Sequence, residues 1–291
     1  MSTGDGRTWG QTQRFEFIEW RLFWEGRLNR RDIELQFGVS TPQASIDIRN
    51  YQLNAPGNIL YDSTIKTYIK TTNFEARYLS VMPDRYLLQM QAISNDIIDI
   101  SDTWFSHVPN MDAVPRITRT VPPGILSRSR EAISNSLVLD VMYRSLTNTR
   151  RRKIAPHSFA FDGQRWHLRA KCLERGDYRD FLLTRIESCD VTDISHQSSQ
   201  DDIEWNTFVD LVIEPHPELS TENRETIHSD YGMRYGQLTL KMRVALAYYF
   251  IRRNNLDAEA ASLPPERLQI SLKNAQQVEE TMRSMRHRRA L

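Results

Sequence analysis

Disulfides, charge of one sign, membrane-length apolar runs and catalytic signatures are all scarce or missing in this chain, and each absence removes a class of protein. Two cysteines, Cys172 and Cys189, cannot build a disulfide scaffold, and with no Cys-x-x-Cys spacing they do not frame a metal site. Two buried or unreactive thiols in a reducing compartment are expected instead. Lys and Arg total 38 against 37 Asp and Glu, so the net charge is +1 and no bulk basic surplus advertises a polyanionic partner. No stretch approaches the ~18–20 apolar residues that span a bilayer. The opening residues, Met1 to Gly6, lack the basic-then-apolar order of a signal peptide, so a cytoplasmic location without a membrane partner is expected. No His-Glu-x-x-His, Gly-x-Ser-x-Gly or Walker-type glycine loop occurs among the 291 residues. The expectation is a protein that is not an enzyme and needs no cofactor and no metal, with Asp201, Asp202 and Glu204 read as solvated loop acids.

What is present is the composition of a globular protein, 40% hydrophobic and 26% charged, long enough for two or three domains. Charge is segregated along it. Basic residues dominate from Arg144 to Arg185, including the run Arg150 to Lys153, which reads as a solvated turn. From Glu187 to Asp230 the sign reverses, with Arg224 the only cation. Pro and Gly joints, notably Pro56-Gly57, Pro83 and Pro122-Pro123-Gly124, suggest boundaries at residues 1–78, 79–124, 125–200 and 201–291.

The first region reads helix, helix, helix, hairpin. Phe15, Ile18, Leu22 and Phe23 recur at helical spacing, and Arg30 to Phe37 gives a short second helix stopped by Gly38. A third helix starts at Ser40 or Thr41 as N-cap, with Pro42 in its first turn and Ala44, Ile46, Ile48, Tyr51 and Leu53 as apolar material. Two β-prone runs, Asn58 to Tyr61 and Ile65 to Ile69, form a hairpin around Asp62-Ser63. That order is the layout of a winged helix-turn-helix, whose second turn-flanking helix enters the major groove. Ser40, Thr41, Gln43, Ser45 and Arg49 are then the polar candidates for DNA contact, with Gln43 matched to adenine and Arg49 to guanine or phosphate. Lys66, Tyr68 and Lys70 alternate on the hairpin and share one face.

Pro83 to about Ile100 reads as a connecting helix. Beyond it come short strands at Leu137–Tyr143, Lys153–Phe161, Trp166–Leu173 and Tyr178–Ile186, with turns at Asp162-Gly163 and Arg175-Gly176-Asp177, packed as a small barrel or strongly bent sheet. Alternation from Trp166 puts Trp166, Leu168, Ala170 and Cys172 on a core face and His167, Arg169 and Lys171 on a cationic one. Arg179, Phe181 and Arg185 place two guanidinium forks around a ring, a combination suited to phosphate and base recognition, and His157 stands near. The alternative for these cations is a solvated basic face or salt bridges to the acidic C-terminal region. That last region mixes a strand at Phe208–Glu214 with helices at Leu238–Arg253 and Lys273–Arg286.

Across Leu137 to Ile194 the chain resembles the WYL-domain family of bacterial transcriptional regulators. Trp166-His167-Leu168 stands for the family's signature, preceded by Pro156-His157 and followed by Arg179-Asp180-Phe181 and Arg185-Ile186. His167 replaces the signature tyrosine, and Leu182 stands where many members carry another arginine. Trp205, Pro215-His216-Pro217, Asp230 to Met233 and Arg243, Ala245, Leu246 resemble the BrxR/CapW branch found beside phage-defence systems. The resemblance implies an α+β chain: an N-terminal winged helix-turn-helix, a central Sm-like small β-barrel (the WYL domain) and a C-terminal α/β WYL-associated extension that is the candidate dimerisation element. It implies a homodimeric repressor that binds a double-stranded, inverted-repeat DNA operator. A nucleotide or short nucleic-acid effector is expected at His157, Trp166, His167, Arg169, Arg179, Phe181 and Arg185. The rival is a single-stranded nucleic-acid-binding protein that uses the barrel alone.

Overall fold

The structure, a computed structural model, describes residues 9–115, 117, 120–257 and 263–288. They fall into two units, Met1–Thr118 and Arg119–Leu291. The first contains α1 (Trp9–Glu25), β1 (Arg27–Leu28), α2 (Arg30–Phe37), α3 (Thr41–Asn54), β2 (Ile59–Asp62), β3 (Thr67–Lys70) and α4 (Pro83–Ser94). Gly38, at φ +62°, ends α2 while its N–H reaches Glu34 O, and Ser40 Oγ accepts from Gln43 N to open α3. Phe15, Ile18 and Leu22 of α1 pack on Ile33, Ala44, Ile48 and Tyr51, the apolar faces the helical periodicity requires. The helix-turn-helix and wing are therefore present.

Three details differ from the sequence-based expectations. β1 is a further strand, giving the order β1-β3-β2. The hairpin turn is longer than Asp62-Ser63, because Asp62 Oδ1 accepts from the N–H groups of Thr64 and Ile65 and carries the loop on to Lys66 at φ +52°. The connecting helix stops at Ser94, not Ile100, where Asn95-Asp96 favours a turn and Asp96 takes φ +53°.

A buried carboxylate holds this unit together. Glu19, 0% exposed on α1, accepts from the N–H groups of Arg77 (2.9 Å), Tyr78 (2.6 Å) and Leu79 (2.7 Å) and from the Tyr51 hydroxyl (3.2 Å). Asn58 donates to Tyr51 Oη in turn (2.9 Å). Burial, with Glu19 alongside, pushes the Tyr51 hydroxyl well above its ordinary value.

The second unit begins with α5 (Pro123–Asn135) and continues through β4 (Leu137–Arg144), β5 (Thr149–Phe161), β6 (Trp166–Cys172), β7 (Tyr178–Leu182) and β8 (Ile186–Ile194). These strands form one antiparallel sheet in the order β7-β6-β5-β4-β8. A three-residue 3-10 turn, Leu183–Arg185, joins its two edge strands, so the sheet curls until they are neighbours. No ladder joins β7 to β8 among the described residues, which corrects the expected barrel to an open, strongly bent sheet. The bend coincides with register shifts at Val138/Leu139, Met142/Tyr143 and Pro156/Ser158. Ile125 and Ala132 of α5 cover Leu139, Val141, Ile154, Leu168 and Ala170. α5 and β8 were not anticipated as elements. The run Arg150 to Lys153 lies in β5 rather than a solvated turn, with Arg151 paired to Asp140, Lys153 to Asp193 and Arg152 buried.

The extension comprises α6 (Ile203–Asn206), β9 (Phe208–Pro215), α7 (Thr221–Asp230), β10 (Leu238–Arg243), α8 (Val244–Arg253), α9 (Pro265–Leu268), β11 (Ile270–Leu272) and α10 (Ala275–Arg288). Its sheet order is β10-β9-β11, and α8 and α10 bring Val244, Ala247 and Val278 to the core over it. The helix expected over Leu238–Arg253 is two elements, because Leu238, Leu240 and Met242 alternate inward against exposed Thr239 and Lys241 before helical spacing takes over. The last helix starts at Ala275 rather than Lys273.

Replacing Glu19 by Ala leaves three backbone N–H groups and a tyrosine hydroxyl without an acceptor, at about 1–3 kcal/mol each. Glu19→Ala is expected to destabilise this unit by at least about 3 kcal/mol, and Glu19→Gln, which keeps one acceptor oxygen, by less. Urea unfolding followed by tryptophan fluorescence reads it, since Trp9, Trp20, Trp24 and Trp104 all lie here; an unshifted midpoint for Glu19→Ala refutes the assignment.

Candidate functional site

At 100° per residue, the inward positions of α3 are Ala44, Asp47, Ile48 and Tyr51, and the opposite stripe is Pro42, Ile46, Arg49 and Leu53. An ion pair sets this rotation. Asp47 is buried and binds Arg14 Nε of α1 at 2.6 Å, while Gln43 Nε2 donates to the same carboxylate at 3.2 Å. Gln43 is thus half-buried and tied inward rather than free to pair with adenine. Ile46 and Leu53, both expected among the apolar core material, are exposed. Ser40 is engaged as the α3 cap, and Arg49 is exposed on the outward stripe.

Thr41 and Ser45 come together with Lys66 and Tyr68 in one cleft of about 560 Å³ between α2, α3 and the wing. Sequence reasoning missed Arg30 and Arg31, which line the same cleft from the start of α2; their signal was a basic pair opening the helix before the turn. Arg30 Nη1 donates to Ser45 Oγ at 3.3 Å. Of the expected common face of Lys66, Tyr68 and Lys70, the first two meet in this cleft and the third does not line it. Lys66 sits in the turn, and Lys70 Nζ swings away to Phe23 O at 3.3 Å.

In the second unit the supposedly solvated cationic face is covered. His167 is 3% and Arg169 1% exposed. Arg169 makes a bidentate pair with Asp202 (Nε–Oδ2 2.7 Å, Nη2–Oδ1 2.9 Å) and reaches Glu204 (3.0 Å) and Asp180 (3.3 Å). His157 Nε2 donates to Asp202 Oδ2 at 3.0 Å, and Tyr249 of α8 donates to Asp180 Oδ2 at 2.9 Å. The Tyr249 ring also packs on His167 at 5.1 Å, and His167 Nε2 donates to Asp162 at 2.8 Å. His167 Nδ1 is buried with no hydrogen-bond partner among the described residues. Asp202 is no solvated loop acid: it caps α6 through Trp205 N and is the hinge of the cluster.

The electrostatics follow from these contacts. Burial opposes ionisation of Asp202, but Arg169 and His157 outweigh it and hold the carboxyl far below the usual carboxylate range. Asp162 likewise resists burial through His167, the N–H groups of Gln164 and Arg165, and the Arg165 side chain, and is held at about 2. Burial would lower Arg169, yet Asp202, Asp180 and Glu204 raise it further. Burial and the nearby Asp201 and Asp202 charges push the Tyr178 hydroxyl up to about 12. The cluster is an ionic latch that fastens β6 and β7 to α6 and α8, and its three carboxylates more than compensate the Arg169 charge rather than leaving it open to an anion.

The other expected effector residues scatter. Trp166 is 51% exposed at the sheet rim, not core, with its ring 4.9 Å from that of Phe161, because it is the first residue of its strand and lies beyond the covering helix. Phe181 is buried in the core beside Leu168, so no exposed ring stands between arginines. Arg179 is half-buried and held by Asp177. Arg185 is half-buried in the 3-10 turn, which breaks the alternation that was to align it with Arg179. Asp180, Glu204 and Tyr249 were missed; Asp202, an N-cap residue type directly before Ile203, was the available signal for the short helix that delivers two of the latch acids.

Three family models match the sequence. They are the BrxR transcriptional regulator winged helix-turn-helix domain over residues 10–92, the WYL domain over residues 124–191 and the BrxR transcriptional regulator C-terminal dimerization domain over residues 208–278. The chain is 37% identical over 278 residues to the DNA-binding transcriptional repressor CapW of Escherichia coli (strain KTE188), covering 94% of this chain and 92% of that one. Identity is 35% over 277 residues with the CapW repressor of Pseudomonas aeruginosa, covering 94% and 93%. With the CapW repressor of Stenotrophomonas maltophilia it is 32% over 294 residues, covering 98% and 97%.

Stripping Arg169 from its carboxylates is expected to cost about 3–5 kcal/mol, the range for removing one partner of a buried ion pair. Arg169→Met should therefore unfold at lower urea than the parent protein. The lowered Asp162 and Asp202 carboxyls stabilise the fold fully above about pH 4, and that stabilisation is lost as pH falls, through about 2 for Asp162 and further down for Asp202. Asp162→Asn should flatten part of this acid limb in a series of urea midpoints against pH; an unchanged limb counts against the latch.

Proposed function

The chain belongs to the WYL-domain transcriptional regulators with BrxR-type winged-helix and C-terminal dimerization domains, and from that premise we propose that it is a homodimeric, sequence-specific DNA-binding transcriptional repressor. One observation carries the DNA side. The outward stripe of α3, with Arg49 on it, lies beside a cleft that gathers Thr41, Ser45, Lys66 and Arg31. A helix and wing so equipped present hydrogen-bonding and cationic groups to bases and phosphates together. Two copies read an inverted-repeat operator, and two modest footprints acting jointly offset the near-neutral charge of each. The relatives named as repressors support the sign of regulation, and the operator is assigned to a phage-defence operon.

The effector is a nucleotide or short oligonucleotide at the bent-sheet domain. Trp166 with Phe161 offers a stacking platform at the rim, and His157 and His167 adjoin the latch, while Arg179 and Arg185 stand apart from it as further cations of the same sheet. A phosphate takes Arg169 only by displacing Asp202 or Glu204. That exchange loosens α6 and, through Asp180 and Tyr249, α8. Effector binding is thereby coupled to the extension that pairs the protomers, and it changes the separation of the two recognition helices.

The test is a salt-dependent gel shift on the duplex upstream of the protein's own coding sequence, against a scrambled duplex of equal length. Selective retardation of the first is expected. Arg49→Ala and Lys66→Ala should each weaken it and reduce the salt slope by about one. Arg179→Ala with Arg185→Ala should leave duplex binding intact. Equal, weak binding to both duplexes, with the Arg179 and Arg185 pair as the damaging one, moves the protein to single-stranded nucleic-acid binding through the sheet.

A further inference from the structure

The outward stripe of α3 carries a residue that packing does not explain. Ile46 is 50% exposed, and it belongs to none of the apolar clusters of the described residues. An isolated exposed isoleucine is ordinary on a protein surface; its position here is not. Pro42 precedes it by one turn and Arg49 follows it, while Thr41 and Ser45 flank it on the side of the cleft that holds Arg31 and Lys66. The cleft also holds Asp32 and Glu34, but these face Arg21 and Arg30; with Arg31, Lys66 and two hydroxyls beside it, the surrounding suits a polyanion rather than an apolar protein partner.

The chemistry of the major groove then selects what Ile46 meets. Among the four bases, thymine alone presents an apolar group there, its C5 methyl. A β-branched side chain has one strongly preferred χ1 in a helix, so the Ile46 methyls are already fixed in direction before contact. Gln43, the residue best suited to adenine, is held by Asp47, which leaves Ile46 as the central side chain of the reading stripe. Resting on the operator assignment above, we infer that Ile46 is a specificity-determining residue that packs against the C5 methyl of one thymine in each half-site.

Uracil differs from thymine by that methyl alone, which makes the test direct. Each thymine of the upstream duplex is replaced by uracil, symmetrically in the two half-sites, and binding is followed by fluorescence anisotropy. One position is expected to weaken the parent protein roughly fourfold per half-site, the equilibrium equivalent of one buried methyl. Ile46→Ala should bind thymine and uracil duplexes alike at that position, and Ile46→Val should keep most of the discrimination. Matching thermal unfolding of the variants separates a lost contact from a lost fold. The inference is overturned if no uracil position matters to the parent, or if the penalty persists in Ile46→Ala. It is also overturned if only a cytosine-to-5-methylcytosine change tightens binding, since that places the methyl on another base. Indifference of the parent between upstream and scrambled duplexes is a separate result, and it takes down the operator assignment and this inference together.

Discussion

A guanidinium leaves water only in company, because an uncompensated charge in a protein interior costs several kcal/mol after all relaxation. Arg169 goes under with three carboxylates, and nearly every relation in the second unit follows from where those carboxylates come from. Asp180 is its neighbour across the β6–β7 ladder, whereas Asp202 and Glu204 belong to the chain that leaves the sheet. The extension is consequently anchored to the sheet by charge at the point where apolar packing passes from one core to the next. Tyr249 adds a tether from α8, so the ion cluster touches the bent sheet, the short linking helix and the helical cover of the extension at once.

The first unit solves a similar problem with the opposite sign. Glu19 lies under a loop whose three consecutive N–H groups it satisfies, and through Tyr51 it grips α3. Arg14 takes a second hold of α3 at Asp47. Between them these two buried contacts, both made from α1, fix the roll of α3 about its own axis. That roll, rather than composition, decides that Arg49 and Ile46 face outward and Gln43 does not.

The architecture of the winged unit was legible because its punctuation is local. Gly38, Ser40 and Pro42 end one helix and start the next within five residues, and Asp62 marks the hairpin. The roll of α3 was not legible, since Ala44, Ile46 and Ile48 are all apolar and only a partner 33 residues away reveals that Asp47 is the inward one. Strand positions in the sheet were legible from alternation and turn residues, yet alternation says nothing about whether the second face is wet. The acids that bury Arg169 lie 33 and 35 residues downstream. They read as a solvated loop because a four-residue helix is too short to show a period. The family resemblance reached further than the residues did: it pointed to the right class of protein while the exposure of Trp166 and Phe181 came out reversed.

The strand order of the bent sheet also dictates when it is completed. β4, the first strand made, lies between β5 and β8, the second and the last, and its pairing with β8 runs from Leu137 to Ile194. Closing a loop of that length costs chain entropy before any ladder contact repays it. During synthesis β4 can zip only to β5, with its other edge open until β8 emerges. Ile125 and Ala132 of α5 dock on a core whose Ile186 and Cys189 arrive with that same last strand. The sheet thus passes through a nascent stage with one bare edge and an incompletely covered helix, and the stretch from Ile186 to Ile194 is the segment whose arrival ends it.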